Sequence, residues 1–221
     1  VVLLSTGRPM DIRNEVEKSD AVLLTWHGGT MAGPAVADLV SGDKNPSGHL
    51  TMSFPYHVGQ IPVHYNSKNT GRPAKSQFKA QGYSCSYVDI RNAPLFPFGY
   101  GLSYTEFEYS DLKVLTPIVE MGGVVKVSVK VTNKGKYDGY DVAQLYVNDI
   151  VAETTRPVRE LKGFERFLLK AGESKEITFE VPTSELAYCH SDMSWKADKG
   201  DFKVWVGADA EATLEGKFSI K

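Results

Sequence analysis

Up to about residue 90, short unbroken apolar runs alternate with segments of helical appearance, whereas beyond about residue 112 apolar and polar residues alternate one by one. In the first part, Val1–Leu4 is an apolar run, Ala21–Trp26 (AVLLTW) is a second, and HLTMSFP, residues 49–55, is a third. Asp11–Lys18 reads as a short helix with Asp11 as its N-cap. The run GGTMAGPAVADLVSG, residues 28–42, turns through glycines into a second helix, with Pro34 in its first turn and Gly42 just past its end. Unbroken apolar strands alternating with helices predict parallel strands covered on both faces, an α/β arrangement. Three strands and about two helices are few for a self-sufficient doubly wound sheet, so partner strands are expected upstream of Val1.

The second part has period two. VVKVSVKV, EITFEV and FKVWV alternate strictly, and DVAQLYVND, LKGFERFLL and GKFSI extend the series between turn signals such as NKGKYDG, KAGES and ADKGD. About seven strands in roughly 110 residues predict an antiparallel sandwich of immunoglobulin or fibronectin type, without the Cys–Trp–Cys spacing of antibody domains. The chain is therefore expected to be α/β over residues 1–111 and all-β over 112–221. Where the two patterns meet, PLFPFGYGLSYTEFEY (94–109) packs two prolines, two glycines and six aromatic rings into one stretch. Prolines stiffen the entry, and glycines permit backbone angles or close approaches denied to other residues. The rings are expected to cement one unit to the other, and SYTEFEYS already alternates like a strand.

Composition narrows the function classes. A formal charge of -2 with no Lys/Arg run gives no support to a nucleic-acid surface, and no apolar run approaches the ~20 residues of a membrane helix. Cys85 and Cys189 are expected to be free, buried thiols rather than a bridge. The five histidines, at 27, 49, 57, 64 and 190, show no i, i+4 pairing with a glutamate, so no metal site is expected and the rings read as solvated or core residues. No G-x-x-x-x-G-K-[ST] or G-x-S-x-G is present, which argues against a nucleotide phosphate loop and a serine elbow. Trp26 and His27 follow the second apolar strand, where open α/β sheets bind ligands, and could line a sugar site through stacking and one hydrogen bond. The competing reading makes Trp26 an anchor of the turn. VVLLSTGRP has no initiator Met and begins inside an apparent strand, so the chain is expected to be a fragment of a longer protein.

GRP (7–9), NPSGHLTMSFP (45–55), VGQIPVHYN (58–66), PLFPFGYGLSYTEFEY and RPVRELKGFERFLLKAGES (156–174) occur in this order. Together they resemble the C-terminal part of glycoside hydrolase family 3, in its bacterial periplasmic form, over the whole chain. The resemblance implies the last part of an α/β sandwich domain followed by a fibronectin-III-like domain, with a TIM-like barrel preceding both as a partner in the same protein. It implies retaining hydrolysis of β-linked glucosides or related sugars by two carboxylates. Both carboxylates are expected before Val1, so no catalytic residue is assigned in this chain. No organic cofactor is implied, the compartment would be the bacterial periplasm or exterior, and a homodimer is possible. In related enzymes the polar segment Asn66–Asn92 lies towards the active-site side, which makes Arg72, Tyr83, Tyr87 and Asp89 candidates for substrate contact; a surface excursion is the other reading. Met31 stands where many family members carry Glu. A non-catalytic carbohydrate-binding or scaffolding module is the alternative function, and an exposed row of aromatics on the sandwich would favour it.

Overall fold

The computed structural model describes residues 1–74, 76 and 82–221. Two of the three expected apolar strands form: β1 (Val2–Leu4) and β2 (Val22–Leu24) pair in parallel, Leu3 opposite Leu23. Between them lies α1 (Arg13–Lys18), and β2 is followed by α2 (Ala32–Ser41), which has Pro34 in its first turn and is closed by Gly42 in the left-handed region. Asp11 does not cap α1. The helix begins at Arg13 with Ile12 at the cap position, and the Asp11 carboxylate accepts the Arg13 amide at 3.3 Å while holding the Arg13 guanidinium at 2.9 and 2.7 Å. The bidentate charged pair holds this carboxylate one residue before the cap position, where it reaches only the first helical amide.

The third expected strand does not form. Residues 49–55 run beside the aromatic stretch and touch it at separate points: Leu50 N–H donates to Tyr100 O, Gly99 N–H to Leu50 O, and Phe54 bridges Phe96. The stretch cannot offer a continuous ladder, because Pro94 and Pro97 lack N–H groups and Gly99 turns the backbone at φ +84°. Both segments thus become a knot of paired loops.

The second part is the sandwich that alternation predicts. Its strands are β3 (Phe107–Val114), β4 (Ile118–Val119), β5 (Val124–Asn133), β6 (Gly139–Asp149), β7 (Glu160–Leu169), β8 (Ser174–Pro182), a small hairpin of β9 (Tyr188–Cys189) and β10 (Trp195–Lys196), β11 (Gly200–Gly207) and β12 (Leu214–Ile220). One sheet has the order β4-β12-β11-β6-β7 and the other β3-β5-β8; only the β12–β4 pairing is parallel. β3 straddles the 111/112 division. The core lies between the sheets, where Val125, Val127, Val129 and Val131 of β5 meet Leu145, Phe179, Val204 and Phe218.

The outward face of the five-stranded sheet is also covered at its centre. Tyr146 and Trp205 point away from the core yet are buried, since Tyr65 and Phe98 of the first part pack on them. Phe98 stacks on Tyr65 with centroids 4.4 Å apart, and Tyr65 meets Tyr146 edge-on at 5.7 Å. The aromatic stretch therefore does join the two units. Gly99 and Gly101 serve it differently. A Cβ on either would collide, with the Gln144 carboxamide in the first case and with the Gly48 carbonyl oxygen in the second.

Candidate functional site

The carboxyl ends of β1 and β2 lie side by side, so the turns after them, Ser5–Gly7 and Trp26–Gly28, converge. The Ser5 hydroxyl donates to the Trp26 carbonyl at 2.7 Å, and Thr25 N–H donates to Leu4 O at 2.9 Å. Trp26 sits at φ +51°, an uncommon conformation for a bulky side chain. Its ring tilts against the buried Phe54 ring at 6.0 Å, so one side is anchored while the residue remains half-exposed. His27 is exposed, with its ring over Gly7, where a Cβ would come within 2.8 Å of Nε2. α2 starts just beyond, and no side chain caps its N-terminus. His27 and the half-exposed Trp26 thus make a small ledge at the carboxyl end of β2, ahead of α2.

The other candidates form a second group. Arg72 O accepts from Cys85 N–H at 2.7 Å and Pro73 bridges Cys85, which brings Arg72 beside the 83–89 turn. Tyr83 is 91% exposed, and Tyr87 and Asp89 are exposed as well. Tyr87 N–H donates to Asn92 Oδ1 at 3.0 Å. Lys75 and residues 77–81 of this segment lie outside the described residues. Among the described residues, no hydrogen bond or ring contact joins this group to Trp26 and His27, and Asp89 has no ion-pair partner. Cys85 and Cys189 are free, but both are exposed rather than buried: Cys85 lies in the long loop and Cys189 on the two-residue strand β9, where no core reaches them. Among the described residues, no group of three or more His, Cys, Asp or Glu is placed to hold a metal ion, and no helix is long and apolar enough to cross a membrane.

Two polar clusters escaped sequence reading. At the junction, His49 Nδ1 lies 2.6 Å from Gly99 O and Nε2 lies 3.0 Å from Asp141 Oδ1, while the Tyr109 hydroxyl donates to Asp141 Oδ2 at 2.6 Å. At the other end of the sandwich, His190 Nδ1 lies 2.6 Å from Glu153 Oε2, stacked on Tyr188 at 4.2 Å. Bonds from Ser191 and His190 hold the Glu153 carboxyl down to about 2. Nearby Asp149 has both carboxyl oxygens buried without a hydrogen-bond partner, and burial raises its pKa to about 6. Their partners lie far away along the chain, so no local spacing announces them.

The comparisons follow this architecture. Residues 1–104 match the glycosyl hydrolase family 3 C-terminal domain, and residues 141–210 match the fibronectin type III-like domain. The chain is 44% identical over 220 residues to a periplasmic β-glucosidase of Salmonella typhimurium, aligning over 100% of this chain and 29% of the relative. It is 42% identical over 212 residues to a β-xylosidase of Formosa agariphila, covering 96% of this chain and 28% of the relative. A solved β-glucosidase from Listeria innocua superposes with a TM-score of 0.94 at 40% identity, covering 100% of this chain and 30% of that one; the same enzyme has been solved in complex with glucose. The chain thus spans under a third of the length of these relatives. With both units matched in order, it belongs to glycosyl hydrolase family 3, of which it carries the C-terminal domain and the fibronectin type III-like domain.

Proposed function

We propose that this chain is the C-terminal part of an exo-acting, retaining β-glycosidase that removes terminal β-linked glucosyl or related residues, in the periplasm or exterior of a bacterium. In this reading residues 1–111 are the last part of an α/β sandwich domain and 112–221 a fibronectin type III-like domain. The nucleophilic and acid/base carboxylates come from polypeptide outside these residues, including a barrel domain, and no organic cofactor takes part. One observation carries the reading: the chain aligns end to end with β-glucosidases while spanning under a third of them. Trp26 and His27 would meet the sugar from the ledge after β2, and Arg72, Tyr83, Tyr87 and Asp89 would meet the aglycone.

The sandwich gives the alternative, a non-catalytic sugar-binding module, little footing. Its most exposed aromatics, Phe164 and Trp195, lie on separate elements, and the Tyr140 ring is covered by the Arg166 guanidinium at 3.8 Å. The test compares two proteins on an aryl β-glucoside. The 221-residue chain should show no turnover above buffer, and the longer product of its gene should hydrolyse the substrate. Turnover by the short chain, or none by the long one, refutes the proposal.

A further inference from the structure

His49 sits where the knot of paired loops meets the five-stranded sheet, with its side chain 12% exposed and that of its partner Asp141 8% exposed. Its two ring nitrogens face groups of one kind. Nδ1 points to the Gly99 carbonyl, which can only accept, and Nε2 points to Asp141 Oδ1. The other Asp141 oxygen is already taken by the Tyr109 hydroxyl. A neutral imidazole carries one N–H and would oppose a lone pair to one of these two acceptors. Only the imidazolium satisfies both.

The contact is the ionisable one among several polar links between the units, which include Ala210 N–H to Phe98 O and Val158 N–H to Ser67 O, both at 2.9 Å. His49 and Gly99 belong to the first part, Asp141 to β6 and Tyr109 to β3. The same knot receives Gln144 Nε2 on Gly99 O and is tied to β6 beside Asp141. Solvent reaches the site through a half-open cleft of about 190 Å³ bordered by Ser47, Gly101, Glu106, Tyr140 and Asp141. The ionisable groups that face the ring from the surrounding elements are Asp141 on β6, Tyr109 on β3, Glu106 before β3 and Asp209 after β11, with Tyr100 in the knot itself. Arg166 of β7 is the neighbouring cation and is engaged by the Tyr140 ring and Ser47. Acidic groups therefore predominate around the ring.

We propose that His49 is a pH-dependent latch: as an imidazolium it fastens the paired loops, residues 49–55 and 94–101, to the sandwich through Gly99 and Asp141, and on losing its proton it releases one of the two. Burial opposes the charge on His49, but the bonds to Asp141 and Gly99 outweigh it, so its pKa is raised. A group whose pKa rises on folding contributes stability that is complete below its unfolded value of about 6.5 and is lost as pH climbs through the folded value. The latch is therefore closed below about pH 6.5 and opens as pH climbs through the raised folded value. His190 has a raised pKa as well, through its bond to Glu153, and its share of any pH dependence must be separated from that of His49.

The experiment is run on the full chain. Thermal unfolding is recorded from pH 6 to pH 9 for the wild type and for His49→Gln, which keeps His190. The wild type should lose about 2–4 °C more than the variant across this range. In parallel, NMR titration of the histidine ring signals should give His49 a midpoint above 6.5, and protection of the Gly99 amide should fall with the same midpoint. Equal pH slopes for the two proteins overturn the proposal, as does a His49 ring already neutral at pH 6. If His49→Gln does not fold, the wild-type titration and amide protection decide alone: a midpoint at or below 6.5, or protection that ignores it, rejects the latch.

Discussion

Gly101 has an ordinary negative φ, and what it needs is room, because the Gly48 carbonyl occupies the space a side chain would take. Gly101→Val should therefore destabilise the chain by more than ~1 kcal/mol, and an unchanged thermal melt would show that the loops part without cost. Asp149 poses the opposite problem. Its carboxyl is raised to about 6 by burial, above its unfolded value of 3.8. Such a group stabilises the fold most below the unfolded pKa and costs stability as pH rises through the folded one. Asp149→Asn, which cannot ionise, should thus melt higher than the wild type at pH 7, with the gain vanishing below about pH 4. A variant that melts lower at pH 7 would show that the charge is held by an interaction the geometry does not display. At this scale the sequence was partly legible. The need for glycine at 99 and 101 could be read from their setting among prolines and rings, but the partners of His49 and the burial of Asp149 could not, since folding alone creates them.

Strand alternation was the most legible element-level signal, because a strand with one face in the core must repeat every two residues. Leu145 and Leu168 make the point within one sheet. Leu145 is fully buried between the sheets, and Leu168 is 48% exposed on the outer face. Leu145→Ala should cost about 2–5 kcal/mol in chemical denaturation, whereas Leu168→Ala should stay within about 0.5 kcal/mol; similar losses at both sites would contradict the alternation. Alternation misleads where a second layer arrives. β6 is buried on both faces along Gln144–Val147, because Tyr65 and Phe98 cover its outer side. Residues 49–55 look like a strand for the same physical reason: apolar side chains are wanted there, but by a loop packed beneath aromatic rings. Hydrophobic runs report burial, and only the partner's hydrogen-bonding capacity decides whether burial becomes a ladder.

The whole molecule divides by stability. β1 and β2 form a two-stranded sheet whose residues are at best half-buried, and neither α1 nor α2 has a buried residue. Such a sheet is marginal on its own. Amides before about residue 60 should exchange rapidly, while Val125–Val131 and Phe202–Val206 exchange slowly; uniformly slow exchange in a proven monomer would contradict this division. The cover that the first part gives the sandwich has a further consequence during synthesis. The Tyr65 and Phe98 rings leave the ribosome first, and the surface meant to receive them includes Trp205. At about 5–20 residues per second, Phe98 waits roughly 5–20 s for that strand to be made. Throughout that interval the nascent chain displays sticky aromatic rings without the surface that buries them, an address for chaperones that disappears once the last two strands are in place.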